Sequence, residues 1–240
     1  LKARVKELLG SSDFRMRVVP EWGAPDVPLA NMAREEKADL IVVGSHQYRG
    51  FERLWHLSVS SGLLHSAEMS VVVVPLTTKK ARTAGIAPPM RRVLVATDFS
   101  VLGNHAIPHA YTLLRAGGTL HLVHVIHPHE LPGGEYLRGS VNQAFIARHT
   151  KFKETCMRRL RALIPAESVV LGIQTVAEVV EHAEPANGIC EAAERCAADA
   201  ICTGTRGFSG LSKVLLGSVA QKVLERSQRP LLLIHPSAEP

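Results

Sequence analysis

The sequence repeats itself at an offset of 160 residues. Ala38-Asp39-Leu40-Ile41-Val42-Val43-Gly44 matches Ala198-Asp199-Ala200-Ile201-Cys202-Thr203-Gly204. The same offset carries Pro25 onto Pro185, Ala33 onto Ala193, Ser58 onto Ser218 and Val71–Val74 onto Leu231–Ile234, without a gap. A duplication of this kind makes each copy one structural unit, and the two must be versions of one architecture.

The second copy is the easier to read. Arg92–Thr97 is an apolar run of strand length, and Asp98-Phe99-Ser100 follows as a turn and helix cap. Helical spacing covers Val101–Ala116 and stops at Gly117-Gly118; Thr119–Ile126 is a second strand. A Gly/Pro-rich loop over 127–140 leads to a helix over Val141–Leu163, and Val169–Val176 reads as the third strand. A helix over Asn187–Ala197, the strand Ala200–Gly204, a Gly-rich loop, a helix from Ser218 to about Arg226 and the strand Leu231–Ile234 complete the unit. Strands alternating with helices specify a parallel sheet covered on both faces, and the absence of polar alternation along the strands agrees.

In the first copy the counterpart of Arg92–Thr97 falls before residue 1, so about 70 further residues are expected upstream of Leu1. What is present reads as a helix tail (Lys2–Leu9), a strand (Arg15–Val19), a helix (Val27–Lys37), the strand Leu40–Gly44, a helix and the strand Val71–Val74. The expected organisation is a first domain over 1–77, incomplete at its start, a basic Pro/Gly/Ala-rich linker over 78–90 and a complete second domain over 91–240. The last strands of the copies are apolar sheet edges. Bare edges invite pairing, so the halves are expected to meet there as a pseudo-dimer within the chain.

Composition narrows the functions. An apolar fraction of 46% supplies a sizeable core, and no apolar run reaches the length of a membrane span. A net charge of +6 suits an anionic ligand. The basic surface of Lys151, Lys153, Arg158, Arg159 and Arg161 holds a single aromatic, Phe152, too little interleaving to support nucleic acid. The four cysteines have no CxxC spacing, and a reducing cytoplasm is the expected location.

The chemistry gathers in three places. Val95-Ala96-Thr97-Asp98-Phe99-Ser100 ends the first strand, and Leu120-His121-Leu122-Val123-His124-Val125-Ile126 is the second. Gly204-Thr205-Arg206-Gly207 is followed, nine residues on, by Gly217-Ser218. A Gly-rich loop lets backbone N–H groups approach an oxyanion, and a helix N-terminus adds unpaired donors and positive potential. Asp98 at a strand's carboxyl end suits ribose hydroxyls or the adenine amine. Taken singly, the glycines are also explained as turn residues, and Ser218 and Asp98 as helix caps.

Together these motifs resemble the universal stress protein family, whose ATP-binding members carry the pattern G-x2-G-x9-G-[ST]. The resemblance covers 91–236 and, through the repeat, most of 13–76. It implies two tandem open parallel five-stranded α/β sheets in the order 3-2-1-4-5, of the adenine nucleotide alpha hydrolase-like type. It implies ATP as ligand: Thr97 and Asp98 beside adenine and ribose, Val125 offering backbone contacts to adenine, and Gly204, Arg206, Gly207, Gly217, Ser218 and Val219 around ribose and phosphates. Mg2+ can accompany the phosphates, but no protein ligand for it is identified. Family members pair through the last strand, which also allows a homodimer.

The first copy departs from this. Gly44 and Ser58 are kept, but Gln47 stands for Gly207 and Leu57 for Gly217, so the nucleotide is expected in the second copy alone. The histidines His105, His109, His121, His124, His127 and His129, with Glu130, tempt as metal ligands. Pro108 between His105 and His109, and the opposite facing of His121 and His124, argue against it. No catalytic base or carboxylate pair is evident. The expected function is an ATP-binding regulatory protein of the stress response acting through an unidentified protein partner; a slow ATPase or phosphotransferase and a nucleotide-free scaffold are the alternatives.

Overall fold

A computed structural model describes residues 5–7, 10, 13–18, 25–45, 59–75, 89–128, 143–205 and 216–236. The first repeat contributes α1 (Asp26–Glu35), β1 (Leu40–Ser45), α2 (Val59–Ser66) and β2 (Ser70–Pro75). The second contributes β3 (Arg92–Ala96), α3 (Val101–Thr112), β4 (Thr119–Ile126), α4 (Gln143–Ala162), α5 (Glu167–Val170), β5 (Gln174–Glu181), α6 (Pro185–Arg195), β6 (Ala200–Gly204), α7 (Ser218–Arg226) and β7 (Leu231–Ile234). No described helix is long and apolar enough to cross a membrane.

The strands form one sheet in the order β1-β2-β7-β6-β3-β4-β5. Within the second repeat all four pairings are parallel, and the order is the expected 3-2-1-4-5. The tandem sheets meet at their last strands, as the edge pairing anticipated. Among the described residues the first repeat supplies two strands, and its last, β2, lies antiparallel to β7 with Val71 opposite Leu233 and Val73 opposite Leu231. The two last strands therefore meet edge to edge, and one sheet of seven results.

Alternate residues of the central strands feed two cores. Leu94, Ala96, Ile201, Leu231 and Leu233 pack with α6 and α7 on one face. Val93, Val95, Cys202, Leu232 and Ile234 pack with α3 and α4 on the other. The first core crosses the repeat boundary, since Ala30, Leu63, Val71 and Val73 belong to it. The second reaches only Val72 beyond it. Val42 of β1 is 65% exposed, whereas its counterpart Cys202 is fully buried. This is why β1 alternates in exposure and β6 does not.

Three local expectations change. Arg15–Val19 is not a strand: residues 13–18 carry no regular element, and Val19 lies outside the described residues. In the order 3-2-1-4-5 that strand pairs only with the second strand of its own copy, and none is among the described residues. The third strand of the second repeat begins at Gln174, not Val169. Val169 and Val170 are 82% and 87% exposed on the short α5, and Gly172 at φ 65° turns the chain into β5. The helix expected over Val101–Ala116 ends at Thr112, and Gly117 at φ 81° bonds its N–H to the Gly172 carbonyl at 2.8 Å.

The asymmetry of the cores is testable. Leu233→Ala, at a fully buried junction position, is expected to cost about 2–5 kcal/mol in urea denaturation. Val42→Ala on the bare face should stay within about 0.5 kcal/mol. Equal costs would mean that the junction is not the core it is described as.

Candidate functional site

The strand order reverses between β3 and β6. The chain leaves β3 into α3 on one face and β6 into α7 on the other, so a crevice opens between their carboxyl ends, where open α/β sheets bind ligands. A cleft of about 500 Å3 occupies this position. Seven of the sequence-predicted residues line it: Thr97, Asp98, Val125, Gly204, Gly217, Ser218 and Val219. Arg206 and Gly207 lie outside the described residues, as do Gln47, Leu57 and Ser58 of the first repeat.

One wall is the turn after β3. Thr97 is 5% exposed; its N–H bonds the Val123 carbonyl at 3.0 Å, and its Oγ1 accepts the N–H of Phe99 at 3.0 Å. Asp98 is not the cap of α3. Ser100 is, accepting the N–H of Gly103 at 2.9 Å, while Asp98 Oδ1 accepts the Ser100 N–H at 3.0 Å and its hydroxyl at 2.5 Å. This fixes the carboxylate at the strand end. Gly103 makes it possible, because a Cβ there would stand 2.4 Å from Asp98 Oδ1. Val125 is held by a similar close approach: a Cβ on Gly188 of α6 would stand 3.1 Å from the Val125 Cγ1.

The opposite wall is the start of α7. The cap is Gly217, in extended backbone (φ −62°, ψ 144°), and no side chain caps the helix. The expectation that Ser218 is the cap is corrected: the first helical bond, Gln221 N–H to the Gly217 carbonyl at 2.9 Å, places Ser218 already inside the helix. The N–H groups of Ser218, Val219 and Ala220 thus have no acceptor within α7, and all three residues line the cleft. Two bonds set this helix beside β6. The Thr205 N–H reaches the Ile234 carbonyl at 3.0 Å, and the Thr205 carbonyl accepts from Gly217 at 2.8 Å. The Thr205 hydroxyl is buried with no partner among the described residues.

The sequence did not mark the third wall, the face of α4 that carries Phe152, Thr155, Cys156 and Arg159. Their three- and four-residue spacing was a readable signal of one helix face, but not of what that face meets. Phe99, at φ 64°, sits with its ring 4.1 Å from His124 and under the Arg159 guanidinium at 4.2 Å. His124 Nδ1 is 2.8 Å from the Thr97 carbonyl, an acceptor, so that nitrogen carries the proton. α4 is tied to β5 through Glu181, which Lys153 meets at 2.6 Å and His149 at 3.1 Å.

The remaining titratable groups stand apart. His105 and His109 stack edge-on at 5.3 Å. His129 and Glu130 lie outside the described residues, and among the described ones no three metal-ligating side chains gather. Burial pushes the Cys190 thiol up to about 11 and raises that of Cys202 further, which marks both as packing residues.

The fold and crevice define an open α/β protein of the adenine nucleotide alpha hydrolase-like type. The chain belongs to the universal stress protein family, whose profile matches residues 3–75 and 89–235. It is 28% identical to Universal stress protein MJ0577 of Methanocaldococcus jannaschii over 155 residues, covering 60% of this chain and 94% of that one. The solved structure of MJ0577 superposes with a TM-score of 0.52 at 26% identity, over 61% of this chain and 96% of that one. Universal stress protein MJ0531 of the same organism is 43% identical over 63 residues, 26% of this chain and 36% of that relative, so the match spans about a third of its length. The fold of a universal stress protein from Archaeoglobus fulgidus matches 97% of this chain and 73% of its own, with a TM-score of 0.63 at 23% identity.

Two outcomes test this geometry. Gly103→Ala gains about 0.5–1 kcal/mol of helix preference but turns Asp98 off Ser100, at about 1 kcal/mol per lost hydrogen bond. Thermal unfolding should show a net loss on the order of 1 kcal/mol in the native background and a smaller loss when Asp98→Ala is already present, since Ser100 Oγ would still stand 3.1 Å from the new Cβ. The hydrogen bond from Lys153 holds the Glu181 carboxyl below the usual carboxylate range. A depressed folded value gives stability that is present above the ordinary carboxylate range and lost as pH falls through the folded value. Glu181→Gln should flatten that acid limb in pH-dependent unfolding; an unaltered limb would remove Glu181 as its source.

Proposed function

We propose that the cleft of the second repeat binds ATP, one molecule per chain, and that the bound state is read by a protein partner. The observation that carries this is the meeting of two chemistries in one crevice. The open N–H groups of α7 face it from one side, and the Asp98 carboxylate and the Val125 strand end face it from the other. The first suits phosphates and the second ribose and adenine. A volume of about 500 Å3 suits a ligand of this size. The family's glycine pattern, continued through Arg206 and Gly207, supports the same assignment.

Asp98 is the one carboxylate among the described lining residues, and its Oδ1 already accepts two bonds from Ser100. Any Mg2+ would arrive with the phosphates. With no carboxylate pair among the described lining residues to activate water, turnover of ATP is expected to be slow or absent, and the output regulatory.

Isothermal titration tests the reading. ATP should bind with a stoichiometry of one. Gly217 has an ordinary φ, so Gly217→Leu acts by filling the helix mouth and not by strain. It should cost at least about tenfold in affinity. Two sites per chain, or undiminished binding by Gly217→Leu, would show that the site is misplaced.

A further inference from the structure

The cleft does not end at Asp98. It continues past Phe99 and Gly103 to the α4 face, where Arg159 is exposed at the mouth. The guanidinium lies over the Phe99 ring at 4.2 Å, and no carboxylate among the described residues pairs with it. Other cations around the sheet do have carboxylate partners: Lys153 with Glu181, Arg195 with Glu178, Lys222 with Glu184. Stacking occupies only the flat face of a guanidinium and leaves its N–H donors pointing outward along the rim. The platform is itself fixed. The Phe99 N–H is bonded to Thr97 Oγ1, and His124, bonded to the Thr97 carbonyl, backs the ring. Phe99 thus holds Arg159 ready for an oxyanion.

We propose that this end of the cleft is a second anion subsite, and that the ligand carries negative charge at both ends of its sugar. The α7 N-terminus would take the 5′-phosphates, and Arg159 a further phosphate on the ribose 2′ or 3′ oxygen. Such a group extends from the ribose, on the Asp98 side where Phe99 begins. The inference rests on the nucleotide reading of the cleft and widens its ligand class: besides ATP, the cleft would take nucleotides phosphorylated at both the 5′ position and the 2′ or 3′ position. Asp98, whose Oδ1 is engaged by Ser100, would then face the ribose hydroxyl that is left unphosphorylated.

Titration calorimetry with AMP, adenosine 3′,5′-bisphosphate and adenosine 2′,5′-bisphosphate separates the claims. At least one bisphosphate should bind about tenfold or more tightly than AMP, the gain of a charge-assisted bidentate contact. Arg159→Gln should erase that advantage while lowering AMP affinity far less than that of the bisphosphate, and Arg159→Lys should recover only part of it. A native advantage that survives Arg159→Gln, equal binding of AMP and both bisphosphates, or an equal loss for all three in the variant would overturn the subsite while leaving the nucleotide site standing. Binding of none of the three, together with no binding of ATP, would bring down the reading of the cleft itself, and the subsite with it.

Discussion

Everything described here hangs on the antiparallel seam between β2 and β7. All four residues of β7 are buried, and the strand is paired on both sides, parallel to β6 and antiparallel to β2. The two strands and two helices described for the first repeat do not enclose a core among themselves. The first repeat escapes this because its apolar residues on one face, Ala30, Leu63, Val71 and Val73, join the core that β7, α6 and α7 already make. The seam makes the chain one body, and it explains why the first repeat is well covered on only one face.

The seam also leaves the cleft undisturbed. The reversal of direction falls between β2 and β7, two strands away from the β3–β6 pair where the ligand crevice opens. From β7 to β5 the strands stay parallel, so their carboxyl ends share one edge of the sheet. The chain of bonds from Ile234 to Thr205 to Gly217 then passes the position of β7 to the start of α7. A disturbance at the seam would reach the cleft by this route, through one strand and two hydrogen bonds.

How much of this was legible depended on where the determining contact lies. The duplication and the alternation of strands and helices followed from local patterns at fixed spacing; the strand order of the second repeat, and with it the meeting of Asp98, Gly204 and Gly217, came from the family resemblance. The third strand was misplaced because Val169, Val170 and Leu171 are apolar yet face outward, so hydrophobicity alone pointed to the wrong residues. The strand expected at Arg15–Val19 failed for a different reason: a strand exists only by its partners, and sequence pattern does not count partners. The α4 wall was hidden because Arg159 and Phe99 lie 60 residues apart, in a helix whose charge read as a solvated face. Gly103 and Gly188 were hidden too, since what each permits is a close approach visible only in three dimensions.

Two independent features bear on whether the first repeat could hold a ligand. One is chemical: Gln47 and Leu57 stand where Gly207 and Gly217 stand in the other copy. The other is topological. A crevice of this kind needs two adjacent strands whose chains depart to opposite faces, as β3 and β6 do. Among the described residues β1, the counterpart of β6, has a neighbour on one side only, and its departing helix α2 lies on the same face as α7. Among the described residues the first repeat shows this half of a crevice alone. Where further strands paired with β1, the crevice would form, and the Gln47 and Leu57 substitutions would then carry the whole discrimination between the copies. Binding by a chain with both glycines restored, with and without such strands, separates the chemical barrier from the topological one.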